Sequence, residues 1–377
     1  MTIVRARRMR GLIDSIQEGS LMNRLLQIGL VIGALALANG ALGAPTPTAP
    51  RVAANGTITT PGFAIPYSSF ASPKSLKLFL AGVEAGRDAP PLNGPIAASR
   101  AYYGKINRAR VRRMRQLFAV TVRKSRIAGV VAYAVAPRSG VAPANEHRVL
   151  LNLHGGAFLW SADSGGLVEA IPIAAVGRIK VITINYRQGP EHVFPAGSED
   201  VAAVYRVLLE HYKPGEIGIY GTSAGGILTA EAIAWFEDHG LPLPGAIGTF
   251  CGSVMVGAGD SAYLAPMLNG GAVPAHPLSL SVLPYFKGAR MVDPEVLPGV
   301  SRKVLARFPP TLLITGTRDF LMSSEIQSAN LLTQAGIDAE LHVWNGMWHA
   351  FFVDPDMPES MQAYRVVAQF FVRHLTR

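Results

Sequence analysis

The chain has 377 residues, a formal net charge of +10, 16% charged residues and 49% hydrophobic ones. That length suits one large α/β domain with an appendage, and the low charge makes a sizeable buried core easy to build. A single cysteine, Cys251, rules out an intrachain disulfide, and no zinc, P-loop or helix-turn-helix spacing points to metal, nucleotide or nucleic-acid chemistry.

At the N-terminus, arginines precede an apolar run, Leu25 to Leu37, which is followed by small residues and Pro45. A basic start, a short apolar stretch and a small-residue cleavage site predict a signal peptide over residues 1–44. The expectation is a periplasmic or secreted protein, with an uncleaved membrane anchor as the alternative. Met22 offers a second start, since Met22-Asn23-Arg24 would open a compact signal peptide. Residues 45–70, rich in Pro, Thr and Ala, read as a linker.

Residues 71–118 read as N-terminal cap helices. Leu76, Leu78, Phe79 and Leu80 form an apolar patch, and Pro90-Pro91 separates it from a second piece. There Tyr103, Val111, Met114 and Phe118 recur at helical intervals, with arginines on the other face. A basic cluster runs from Arg100 to Arg126, and no acid occurs between Asp88 and Glu146. We read it as a solvated helix face, with a weak attraction to anionic membrane surfaces as the alternative.

Residues 119–377 read as one catalytic domain. Val120–Val122 and Gly129–Ala136 suggest an antiparallel pair. Strands are then predicted at Val149–Leu153, Lys180–Asn185, Glu216–Tyr220, Ala246–Val256, Thr311–Thr315 and Glu340–Trp344. Helices fit Leu167–Val176, Glu199–Tyr212, Ile227–Glu237, Ser324–Gln334 and Glu359–Leu375. This alternation predicts an α/β fold with a mostly parallel central sheet and helices on both faces.

The chemistry is concentrated at strand ends. His154-Gly155-Gly156-Ala157-Phe158 follows one strand, and its glycines offer unhindered N–H groups. Gly221-Thr222-Ser223-Ala224-Gly225 lies between a strand and a helix, the context that exposes a nucleophilic serine on a tight turn. Gly155, Gly156 and Ala224 are the expected donors of an oxyanion hole. A serine needs a base and the base an orienting acid, in the chain order Ser, acid, His. Asp319 and His349, each just past a strand, fit that order; Glu325 is the fallback acid. Cys251 lies in an apolar stretch and reads as core packing.

Together these motifs, with Tyr186 to Ala196 and Arg307-Phe308-Pro309-Pro310-Thr311, make the chain resemble the bacterial hormone-sensitive-lipase-like carboxylesterases of the α/β-hydrolase superfamily. The resemblance covers roughly residues 70 to 377. It departs at Thr222, where the family most often has aspartate, and around Asp319, where the usual Asp-Pro-Leu-Arg-Asp context is absent. It implies that Glu191 supports the active-site floor as a structural residue.

The resemblance implies a serine esterase acting on short acyl esters or lactones, with Ser223, Asp319 and His349 as catalytic residues. No metal or cofactor is required. The partner is a small-molecule ester rather than nucleic acid, and a homodimer stays open. Other readings are an acetyl or aryl esterase of decorated polysaccharide, an amidase, or a noncatalytic binding protein of the same fold.

Overall fold

The computed structural model of the protein describes residues 51–376 apart from 55, 57, 60, 61, 63, 277 and 278. The expected signal peptide over residues 1–44, with its apolar run Leu25 to Leu37, lies outside the described residues. Among the described residues, no helix is long and apolar enough to cross a membrane.

The chain divides into two units, residues 1–65 and 66–377. In the first, Arg51–Val52 pairs antiparallel with Ile58–Thr59. The second holds an eight-stranded sheet: β1 (Val120–Ile127), β2 (Val130–Pro137), β3 (Val149–Leu153), β4 (Lys180–Asn185), β5 (Ile217–Thr222), β6 (Ala246–Phe250), β7 (Thr311–Arg318) and β8 (Ala339–Trp348). Their spatial order is β8-β7-β6-β5-β3-β4-β2-β1. Only the pairs β1–β2 and β2–β4 are antiparallel. The remaining pairs are parallel, as expected where helices connect the strands.

Around the sheet run α1 (Pro73–Gly86), α2 (Ile96–Leu117), α3 (Gly165–Gly177), α4 (Ala196–Leu209), α5 (Ala224–Asp238), α6 (Asp260–Leu268), the single-turn α7 (Arg302–Leu305), α8 (Met322–Gln334) and α9 (Pro358–His374). The central strands β3, β5 and β6 are buried along their whole length. That is why they read as continuous apolar runs rather than alternating ones. Val149, Leu151 and Leu153 join one core with Tyr205 of α4 and Ile233 of α5. Leu150 faces the other core, with Ile171 of α3 and Phe371 of α9.

Apart from α6 and α7, which the sequence reading leaves out, the elements differ from it mainly at their ends. Strand β6 stops at Phe250 rather than Val256, because Cys251 turns to a φ of 54° and the chain leaves the sheet. Strand β8 continues past Trp344 to Trp348. Its pairing with β7 shifts register between Trp344 and Trp348, and Gly346 takes a φ of 77° there. Such a bulge re-aims the residues beyond it. Pairing resumes at Trp348 opposite Arg318, which puts the next residues of both strands, His349 and Asp319, side by side.

The cap forms as two helices and is held by polar contacts as well as packing. Ser72 caps α1 by accepting the Ser75 N–H, while its own N–H and hydroxyl donate to Glu359 of α9 at 2.6 and 3.0 Å. The basic cluster is only partly a solvated face. Arg110 pairs with Asp354 at 3.2 Å and Arg113 with Asp356 at 2.6 Å, acids far along the chain. Arg100 donates to the Leu159 and Gly189 carbonyls and grips Glu191 with two bonds of 2.7 Å. Glu191, a structural support of the active-site floor by the resemblance, is half exposed and ties the cap to the loop after β4.

Candidate active site

Ser223 occupies the turn from β5 into α5 with φ 57° and ψ −121°, a region a residue with a Cβ rarely visits. Crowding holds it there. A Cβ on Gly225 would lie 1.8 Å from the Leu153 carbonyl oxygen, and one on Gly221 would lie 2.3 Å from that of Gly225. The two glycines flanking the serine are thus a packing requirement of the turn itself. The Ser223 N–H donates to Phe250 O at 2.7 Å, which fixes the turn to the end of β6.

His349 Nε2 lies 2.9 Å from Ser223 Oγ, and its Nδ1 lies 2.7 Å from Asp319 Oδ1. Asp319 is wholly buried and not a surface acid. Its Oδ1 also accepts the Leu321 N–H and its Oδ2 the Thr315 hydroxyl, each at 2.9 Å. Burial alone would raise its pKa. Attraction to His349 and the hydrogen bonds from His349 and Leu321 outweigh that, and the carboxyl stays below its usual range. A permanently ionised acid of this kind keeps the proton on Nδ1 and leaves Nε2 free to accept one.

Glu325, the fallback acid, is buried on α8, where it accepts the Gly252 N–H. Burial pushes its pKa well up, and its bond to Gly252 props the loop after β6. Cys251 packs in the core, as its apolar surroundings predict, and also touches the site. Its Sγ accepts the Ala350 N–H at 3.3 Å and lies beside Asp319, the acid partner of the histidine. Thiol, carboxylate and imidazole atoms converge within 4.8 Å there. Both imidazole nitrogens are already engaged by Ser223 and Asp319, so the arrangement is that of a proton relay.

The expected oxyanion donors need one correction. The Gly155 N–H donates to Glu169 Oε1 at 3.0 Å and is not free to bind an oxyanion. Gly156, Ala157 and Ala224 line the same cavity as Ser223, and among the described residues their N–H groups have no acceptor. Ala157 is not among the donors expected from sequence, because its φ of 52°, a glycine-like conformation, is invisible in its residue type. His154 is buried and stacked on Tyr186, and its Nδ1–H donates to Gly155 O at 2.7 Å. Burial lowers its pKa to about 4, so it is a neutral structural pin of this loop.

A cavity of about 880 Å³ opens over these groups. Its walls come from the sheet ends and from the cap, including Phe79, Val83, Tyr103, Trp160, Leu283 and Trp348. Tyr103 of α2 stacks on Trp160 with ring centroids 4.7 Å apart, which joins the cap to the loop after β3. Phe79 of α1 packs against Trp348, the neighbour of His349. The lining is mostly aromatic and aliphatic, suited to an uncharged organic substrate.

A family model described as alpha/beta hydrolase fold matches residues 150–353. The chain is 28% identical over 236 residues to an acetyl-hydrolase from Streptomyces hygroscopicus, covering 61% of this chain and 77% of that protein. Among solved structures it is similar to esterase E25, with a TM-score of 0.72 and 29% identity over 84% of this chain and 99% of that one. It is likewise similar to an esterase from the bacterial hormone-sensitive lipase family, with a TM-score of 0.70 and 25% identity over 81% of this chain and 100% of that one.

Proposed function

Because the chain belongs to the alpha/beta hydrolase fold family, we propose that it hydrolyses carboxylic esters by acyl transfer through Ser223. The observation that carries this reading is the continuous contact from Ser223 Oγ through His349 to the buried Asp319, at 2.9 and 2.7 Å. His349 Nε2 takes the hydroxyl proton as Ser223 Oγ attacks the ester carbonyl carbon. The carbonyl electrons move onto oxygen, and N–H groups of Gly156, Ala157 and Ala224 hold that charge. As the intermediate collapses, the ester C–O bond breaks and His349 returns the proton to the leaving alcohol. Water, deprotonated by the same nitrogen, then attacks the acyl-enzyme and releases the acid and the serine. Losing one donor of the oxyanion kind costs about 3–4 kcal/mol in serine hydrolases, so the loop after β3 contributes to the rate beside the triad.

We take short acyl esters or lactones as the substrates. The aromatic cavity and the acetyl-hydrolase relative support that choice. Export is part of the proposal and rests on the composition of the leader alone. A series of p-nitrophenyl esters from acetate to palmitate tests the reading. We expect kcat/KM to be greatest for short chains and to fall steeply for the longest, with every activity lost in Ser223→Ala. Equal activity across the series would contradict the short-chain assignment.

A further inference from the structure

The buried carboxyl of Glu169 has no part in the triad, yet it stands between the nucleophile turn and the oxyanion loop. It comes from α3, lines the same cavity as Ser223 and is almost fully buried. Oε1 accepts the Gly155 N–H at 3.0 Å, and Oε2 accepts Asn152 Nδ2–H at 2.9 Å. Asn152 is itself fixed, because its Oδ1 accepts the Thr183 hydroxyl at 2.8 Å. The chain Thr183–Asn152–Glu169–Gly155 thus runs from the sheet interior to the residue just before Gly156 and Ala157. On its far side Gly155 packs against the nucleophile turn: a Cβ there would lie 2.8 Å from Thr222 O and 3.4 Å from Ser223 Cβ. The buried Thr222 hydroxyl is a further neighbour of the carboxyl.

We infer that Glu169 is the positioning residue of the oxyanion loop: by accepting the Gly155 N–H it fixes the backbone from which Gly156 and Ala157 present their donors. The inference rests on the esterase reading above. A donor helps the transition state only if it is held in advance at the place where charge develops, and an ångström of drift is enough to lose that benefit. The carboxyl can do this without adding a full negative charge beside the oxyanion. Burial raises its pKa to about 7, against the hydrogen bonds from Asn152 and Gly155, and in either protonation state an oxygen remains to accept the N–H.

Glu169→Leu and Glu169→Gln separate this role from packing. Glutamine keeps an acceptor oxygen at the same reach, whereas leucine keeps the volume and removes both the acceptor and the buried carboxyl. Positioning predicts that Glu169→Leu lowers kcat on p-nitrophenyl acetate about 10- to 100-fold with KM within about threefold. It also predicts that Glu169→Gln recovers most of the loss. Active sites are counted by the burst of p-nitrophenol, so that unfolded protein does not enter kcat. A packing role predicts the opposite ranking, with leucine at least as active as glutamine, and that result overturns the inference. Should the leucine variant fail to fold, Glu169→Asp replaces it: a carboxylate one methylene short must fall below Glu169→Gln in kcat, and equality overturns the inference. A wild-type chain without Ser223-dependent hydrolysis overturns the esterase reading and this inference together. Normal wild-type hydrolysis with an unchanged leucine variant overturns this inference alone.

Discussion

Asp319 shows what a single side chain contributes here. Its carboxyl is wholly buried and is met there by one imidazole, one hydroxyl and one backbone N–H. Asp319→Asn keeps the shape but offers Nδ1 an amide, which can favour the wrong imidazole tautomer. We expect kcat to fall by about 10³–10⁴-fold with little change in KM, measured on p-nitrophenyl acetate. Ser223, Asp319 and His349 were legible from order and context, because each must sit at the end of a strand to reach its neighbours. The donor set was legible only in part. Residue type marked Gly155 as unhindered, but whether its N–H is free depends on Glu169, which is distant from the glycine motif and on another element. Likewise Cys251 looks like an apolar filler until the turn after β6 brings it against Asp319.

At the scale of elements, helix α5 carries the nucleophile turn at one end and an anomaly in its middle. Glu231 is fully buried, and neither carboxylate oxygen has a hydrogen-bond partner among the described residues. Burial pushes its pKa well above the ordinary 4.5. The folded state therefore keeps a proton that the unfolded chain gives up once the pH passes that value. Stability contributed by this residue is greatest below the unfolded pKa and declines as pH rises toward the folded one, by about 1.4 kcal/mol per pH unit inside that window. Glu231→Gln removes the titration, so its gain in Tm over the parent should be larger at about pH 8 than at about pH 5. An equal difference at both values would contradict a neutral buried Glu231. Element type was readable from apolar runs and their spacing, since fully buried parallel strands leave an unbroken signature. Element ends were not. The bulge near Gly346 that lengthens β8, and the turn at Cys251 that shortens β6, depend on pairing with neighbours rather than on local composition.

For the molecule as a whole, the sheet brings to one edge groups remote along the chain, such as Ser223 and His349, 126 positions apart. The cap closes over them through aromatic contacts and through ion pairs with acids remote in sequence. That pairing is why part of the arginine-rich stretch, read locally as a solvated face, serves to anchor α2. The architecture followed from the alternation of strands and helices; the partners of the cap did not, because long-range charge pairing leaves no local pattern. The account depends on Ser223 being the group acylated. Treating the protein with a fluorophosphonate and mapping the adduct by mass spectrometry tests this most directly. The account predicts one phosphonyl group on Ser223, formed in step with loss of p-nitrophenyl acetate hydrolysis and absent from Ser223→Ala. An adduct on another residue, or hydrolysis that persists once Ser223 is fully modified, would contradict it.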